Sequence, residues 1–237
     1  MDDQPLLSVV LPCFNPSRGW MQTVEKRLLA IQSRVASMEL IIVNDGSDKH
    51  FDLNQATGYF ARFKEVKIIS HTKNMGKGHA VRTGVKQCRG AIIIYTDIDF
   101  PYTMESFFRV LQALETGSID VCIGVRPDKY YTHLPLARVR ISKFLKLLIR
   151  RLLRLPADDT QCGLKGFNQA GKEVFLQTTI NRYLFDLEFI FLAARKNLRI
   201  KTEAVDLRAD VKLPAVPWQV LVQETGNFIK IFTQSIF

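Results

Sequence analysis

Short apolar, β-branched runs alternate along this chain with longer stretches whose apolar residues return every three or four positions. The runs at residues 6–11, 40–43, 66–70, 91–96 and 119–124 predict strands, and the stretches at 19–37, 51–63, 78–88 and 103–116 predict amphipathic helices. A βαβαβαβαβ order implies an α/β fold with a mainly parallel sheet covered by helices on both faces. Ligands of such sheets sit beyond the carboxyl ends of the strands. The residues just after each strand are therefore the first place to seek chemistry.

The pattern changes in the second half. Residues 137–155 predict a long basic helix, 156–160 a turn, and 162–168 a short segment. Helices are expected at 169–178 and 185–196, a strand at 200–205, and a last amphipathic helix ending at Phe237 after Pro214 and Pro217. No repeat or low-complexity linker divides the chain, so its 237 residues are read as one domain. Within it, residues 1–125 form the expected donor side, 126–212 the acceptor side and 213–237 the final helix.

Composition narrows the classes. The N-terminus lacks the basic flank and cleavage site of a signal peptide, and no run approaches the roughly 18 apolar residues of a spanning helix, so a cytosolic chain is expected. Cys13, Cys88, Cys122 and Cys162 are far apart with no CxxC pair, which argues for reduced, packed thiols. The net charge of +10 is concentrated: residues 126–156 hold nine Lys/Arg and one acid, a local excess of +8. A localised block of charge points to a localised anionic partner.

On the 137–155 helix, Ile141, Phe144, Leu145, Leu148, Leu152 and Leu155 share one side, while Lys143, Lys146, Arg150 and Arg154 share another. This is the pattern of a helix lying in a lipid interface, where each cation near an anionic surface contributes about 1 kcal/mol. The competing reading is a core-packed helix with a solvated basic face. Nucleic acid is not expected as a partner, because only Phe144 interleaves the cations and no binding motif is present. Residues 216–237, with Trp218, Phe228, Phe232 and Phe237, either extend the same surface or pack as an ordinary helix.

Three strand ends carry polar residues that would be poor core choices: Pro12-Cys13-Phe14-Asn15, Asn44-Asp45-Gly46-Ser47-Asp48 and Thr96-Asp97-Ile98-Asp99. Asp97 and Asp99, separated by one residue where a strand opens into a loop, can both approach one hard cation and leave its other positions to water and phosphate. Magnesium and manganese are held in this way. Asp45 is either an Asx turn with Gly46 at positive φ or a carboxylate for the base or ribose of a nucleotide. His71-Thr72-Lys73-Asn74-Met75-Gly76-Lys77-Gly78 leads into a helix and places Lys77 near an N-terminus suited to an anion. It lacks the spacing of a P-loop.

These residues carry a resemblance. Ser8-Val9-Val10-Leu11-Pro12 with Phe14-Asn15, Leu40 to Ser47, Asn74 to Gly78 with Ala80 and Arg82, and Asp97-Ile98-Asp99 resemble the nucleotide-sugar half of inverting GT-A glycosyltransferases of family 2. Asp159-Thr160-Gln161-Cys162-Gly163-Leu164-Lys165-Gly166-Phe167 and Phe185-Asp186-Leu187-Glu188 are similar to dolichyl-phosphate β-glucosyltransferases and, less closely, to dolichyl-phosphate mannosyltransferases and bacterial polyprenyl-phosphate sugar transferases. Pro16 and Phe100-Pro101 depart from that pattern, where relatives often have an acidic or polar residue.

The resemblance implies a Rossmann-like GT-A fold that moves a hexose from a nucleotide sugar, UDP-glucose before GDP-mannose, to a polyprenyl or dolichyl phosphate at the cytosolic face of a membrane. It implies that Pro12, Phe14, Val43 and Asp45 line the nucleoside pocket, that Asp97, Ile98 and Asp99 handle the diphosphate and a Mg2+ or Mn2+ ion, that Arg126, Arg138 and Ser142 face the acceptor phosphate, and that Asp159 stands near the reacting centre. Two readings of Asp159 stay open. A phosphate acceptor with a second pKa of about 6 is already anionic at neutral pH, so Asp159 could simply orient it; an alcohol acceptor would need Asp159 as base. A glycan or protein hydroxyl acceptor is the enzymatic alternative, and a membrane-surface module with an inert pocket the non-enzymatic one. A nucleotidyltransferase is disfavoured, because residues 6–15 lack the glycine-rich loop with Arg and Lys that such enzymes use.

Overall fold

The computed structural model describes residues 6–126, 159–160, 162–211, 226–227 and 231. Seven strands form one sheet: β1 (Leu7–Cys13), β2 (Met38–Asn44), β3 (Val66–Ser70), β4 (Ile92–Tyr95), β5 (Val121–Val125), β6 (Lys165–Phe167) and β7 (Ile200–Ala204), in the order β3-β2-β1-β4-β6-β5-β7. The α/β expectation holds, and helices cover both faces. On one side α1 (Trp20–Gln32), α2 (Leu53–Phe60) and α4 (Met104–Glu115) pack on Leu7, Val9, Leu11, Leu40, Ile42, Ile92 and Ile94. On the other, α3 (Lys77–Gln87), α5 (Gln169–Phe175) and α6 (Phe185–Arg195) pack on Val10, Ile41, Val43, Ile93, Tyr95 and Phe167. This odd/even division is the period-2 alternation of strands buried on both faces.

The sheet is less uniformly parallel than the alternating order suggests. The 162–168 segment, to which the pattern assigns no element, contributes β6, which runs antiparallel between β4 and β5. A strand of Lys-Gly-Phe offers no apolar alternation, and its Lys165 survives there only because buried partners meet it. Helix starts follow local chemistry: the side chains of Asp52, Thr103 and Asn168 accept from the N–H groups of Gln55, Ser106 and Gly171.

The order β2-β1-β4 creates the opening that matters for function. From β1 the chain winds outward to β2 and β3, then returns to β4 on the other side, so the strand order reverses between β1 and β4. The even residues of β1 bond toward β4, since Thr96 N–H donates to the Val10 carbonyl at 3.2 Å. Pro12, the next even residue, has no N–H and lies beyond the last β4 pairing at Val10↔Tyr95. The two strands therefore part at Pro12 without stranding a donor, and a crevice opens at their carboxyl ends.

Helix 137–155, with Arg138 and Ser142, lies outside the described residues, as does most of 213–237. Of that last segment Ile231 is described and fully buried, in the core on the α3 side of the sheet. Among the described residues no helix is long and apolar enough to cross a membrane.

Candidate functional site

A cleft of 370 Å³ occupies the β1/β4 opening, lined by Pro12, Cys13, Phe14, Asp45, Asn74, Gly76, Lys77, Ala80, Asp97, Ile98, Arg182 and Tyr183. Pro12, Phe14, Asp45, Lys77, Asp97 and Ile98 were singled out in the sequence. Val43 was too, and its place is different: it is fully buried in the core beneath α3. It lies within β2, two residues before Asp45 and against Gly84 of α3, and only the strand end beyond it reaches the cleft.

Loops at the strand ends are tied to one another before any ligand is considered. Asn15, with φ 46°, receives the N–H groups of Asp48 and Lys49 on its side-chain oxygen, and its own N–H donates to Ser47 Oγ. Gly46 takes φ 68°, as the turn reading required. Asp45 is nearly completely buried, and its carboxylate accepts from Met75 N–H (2.9 Å) and Gly76 N–H (2.8 Å) and lies 2.8 Å from His71 Nδ1. Its principal contacts are therefore to the β3–α3 loop, which it folds against the cleft floor.

Lys77, the first residue of α3, reaches Asp97 Oδ1 at 2.5 Å. Burial opposes its charge, but the carboxylates of Asp97 and Asp186 outweigh that and raise its pKa. Asp99 is exposed and is not among the residues lining the cleft; partial desolvation in its loop, and then the neighbouring Asp97 charge, push its carboxyl above the ordinary range. Two carboxylates this close carry a surplus of negative charge that a divalent cation would relieve. Among the described residues no group of three or more His, Cys, Asp or Glu is placed to hold a metal. Asp97 and Asp99 thus suit an ion that takes its remaining ligands from phosphate and water, the usual arrangement for magnesium.

Two further segments hold this loop. Arg208 donates to the carbonyls of Asp99 (2.8 Å) and Phe100 (3.0 Å) while its other nitrogens pair with Asp210. Gly163 lies so close to Asp97 that a Cβ on it would stand 2.5 Å from Oδ2. That obstacle is the end of a movable side chain, so Gly163→Ala is expected to fold with little loss of stability while turning the carboxylate away. Displacement of that order lowers kcat by about 100-fold. A melting curve alongside a transfer assay checks this: parallel loss of both, or of neither, would contradict it.

Arg182 and Tyr183 were missed in the sequence. Their loop is pinned from below: Glu188 accepts from Thr179 N–H and Ile180 N–H (2.8 Å each), and Arg82 donates to the Ile180 carbonyl (2.7 Å) and to Asn181. The Asn181 carbonyl in turn accepts the Gly78 N–H at 2.7 Å, at the start of α3. Tyr183 and Phe14, both about half exposed, line the same cleft.

Arg126 and Asp159, predicted to serve different roles, are one unit. Arg126 Nε and Nη2 donate to the two Asp159 oxygens at 2.7 and 2.8 Å, and the Arg126 N–H donates to Oδ2 at 3.1 Å. Burial opposes the guanidinium charge, but these bonds outweigh it and raise the Arg126 pKa further.

Comparison with known proteins agrees with this geometry. The family described as glycosyl transferase family 2 matches residues 8–175. The dolichyl-phosphate beta-glucosyltransferase of Saccharomyces cerevisiae is 28% identical over 84% of this chain and 66% of its own length. The proteins of the same name from Homo sapiens and Dictyostelium discoideum are 27% identical over 84% of this chain and 66% of theirs, and 26% identical over 97% and 74%. The chain spans about two thirds of the length of most of these relatives. Among solved structures, glucosyl-3-phosphoglycerate synthase from Mycobacterium tuberculosis with Mn2+, UDP and product has a TM-score of 0.65 at 18% identity, over 98% of this chain and 80% of that one. Mannosyl-3-phosphoglycerate synthase from Rubrobacter xylanophilus has a TM-score of 0.67 at 15% identity, over 97% and 73%. These two similarities establish the GT-A type of fold.

Proposed function

Since the chain belongs to glycosyl transferase family 2, we propose that it moves a hexose, glucose from UDP-glucose, onto a polyprenyl or dolichyl phosphate at the cytosolic face of a membrane. The observation that carries the donor half is the convergence of Lys77 and Asp97, with Asp45 and Ile98, in the cleft at the strand-order reversal. The acceptor half rests on the relatives' names, the basic 137–155 segment and the Arg126–Asp159 unit.

In this reading an acceptor phosphate oxygen attacks the anomeric carbon as the bond to the nucleotide diphosphate breaks, inverting the configuration. Phe14 and Tyr183 flank the nucleoside, and Asp45 keeps the β3–α3 loop in the shape that receives it. Lys77 meets the negative charge that grows on the leaving diphosphate. Asp97 and Asp99 would hold a Mg2+ or Mn2+ ion, which supplies Lewis-acid neutralisation of that same charge. Arg126, with Arg138 and Ser142, holds the acceptor phosphate, while Asp159 orients the Arg126 fork.

The test is incubation with radiolabelled UDP- and GDP-sugars, Mn2+ or Mg2+ and polyprenyl phosphate, followed by solvent extraction. Label from UDP-glucose is expected in the organic phase. Label that stays aqueous with every donor would overturn the proposal.

A further inference from the structure

Beneath the cleft lies a charged group to which the reaction, as described, assigns nothing. Lys165 has no exposed surface and Asp186 almost none, yet both are ionisable. Lys165 Nζ stands 2.8 Å from Asp186 Oδ1 and donates to the Cys162 carbonyl, and Tyr95 Oη–H donates to the same Asp186 oxygen. The register explains the meeting: Lys165 on β6 lies opposite Tyr95 on β4, on the face that α6 covers with Asp186 in its first turn. Apolar residues of similar size would fill such a space with equal or greater stability, so the pair is poorly explained by stability alone.

Each partner leads to Asp97. Tyr95 is the last residue of β4, and Asp97 stands two residues beyond it in the loop that follows. Cys162, held by Lys165, precedes Gly163, whose backbone abuts the Asp97 carboxylate. Lys77, on the other side, pairs with Asp97 directly. We infer that Lys165 and Asp186, with Tyr95, are positioning residues for the donor site: the buried pair fixes the Cys162–Gly163 backbone and the end of β4, and so fixes where Asp97 stands in the cleft. This rests on the proposed donor site, since Asp97 is there the residue that meets the metal and the diphosphate.

The network consequently governs metal-dependent binding of the diphosphate more than binding of the nucleoside, which sits on other residues. The experiment is calorimetric titration with UDP, with and without Mn2+, of the wild type, of Lys165→Met/Asp186→Leu/Tyr95→Phe, which replaces the charged group with apolar side chains, and of Tyr95→Phe alone. Loss of supporting partners around a metal ligand weakens binding by about 10-fold or more. The triple variant is expected to lose about 10-fold or more in UDP affinity with Mn2+ present, the single variant a smaller factor in the same direction, and both to keep wild-type affinity for UDP without metal. A disturbance of the fold would lower both affinities together. Should the triple variant not fold, Tyr95→Phe decides, because it removes one oxygen and leaves the ion pair in place. Variants that bind UDP and Mn2+ like the wild type, or that lose both affinities equally, overturn the inference. A wild type that binds no UDP with Mn2+ overturns the proposed function as well, so the two failures are distinguishable.

Discussion

Asp97→Ala is expected to lower the rate of hexosyl transfer by about 1000-fold or more while leaving the protein folded, and Asp97→Asn, which keeps the shape and removes the charge, by nearly as much. The carboxylate lies at the cleft, more than a third exposed, with Lys77 as its direct ionic partner. It caps no helix and its removal opens no core cavity, so its contribution to stability is that of a partly exposed pair, within about 1 kcal/mol. Its contribution to transfer is of a different size, because in the proposed reaction it is the group that would align both the cation and Lys77 on the diphosphate. Lys77→Met should cost less, about 100-fold, since it removes one source of positive charge and leaves the Asp97 carboxylate in the cleft. The measurement is kcat with the Mn2+ concentration varied. An Asp97→Ala protein within ten-fold of wild type would show that the leaving group is stabilised elsewhere.

Much of this site could be read in the sequence because its parts are local. A run of β-branched residues ending in polar ones marks both a strand and its carboxyl end, and once β1, β2 and β4 are neighbours in parallel, Phe14, Asp45 and Asp97 must share an edge. Gly46 and Asn15 likewise carry their positive φ in their own chemistry. What escaped was the outcome of contacts between distant segments. Lys165 looks solvated until Asp186 and Tyr95 close around it, so Lys165–Phe167 does not read as a strand. Val43 shares a motif with Asp45, but it stands inside β2, where α3 packs over it and buries it. Arg182 and Tyr183 sit in a segment with no motif of its own, and they reach the cleft only because Arg82 and Glu188, remote from them or buried, hold the loop. Asp45 lines the cleft, and its carboxylate also accepts two N–H groups of the loop that encloses it, bonds that no local motif announces.

The same separation in sequence hid the pairing of Arg126 with Asp159, and that pairing bears on whether the reaction needs a base. A carboxylate that accepts two guanidinium bonds and a backbone N–H is committed as an acceptor in the ionised form, and taking a proton from the acceptor would set it against Arg126. A phosphate acceptor makes that proton transfer unnecessary, because its second ionisation, near about pH 6, already supplies the nucleophile. Asp159→Asn is therefore expected to lower kcat by about 1000-fold through a misdirected, unbalanced Arg126, with the acidic limb of the pH–rate profile still near pH 6 in wild type and variant alike, since that limb belongs to the acceptor. Arg126→Ala should lower kcat comparably and also raise the KM for the lipid phosphate, leaving that for UDP-glucose nearly unchanged. The profile discriminates between the two roles: if the acidic limb vanishes in Asp159→Asn and the residual rate becomes independent of pH, Asp159 is the base and the acceptor does not arrive ionised.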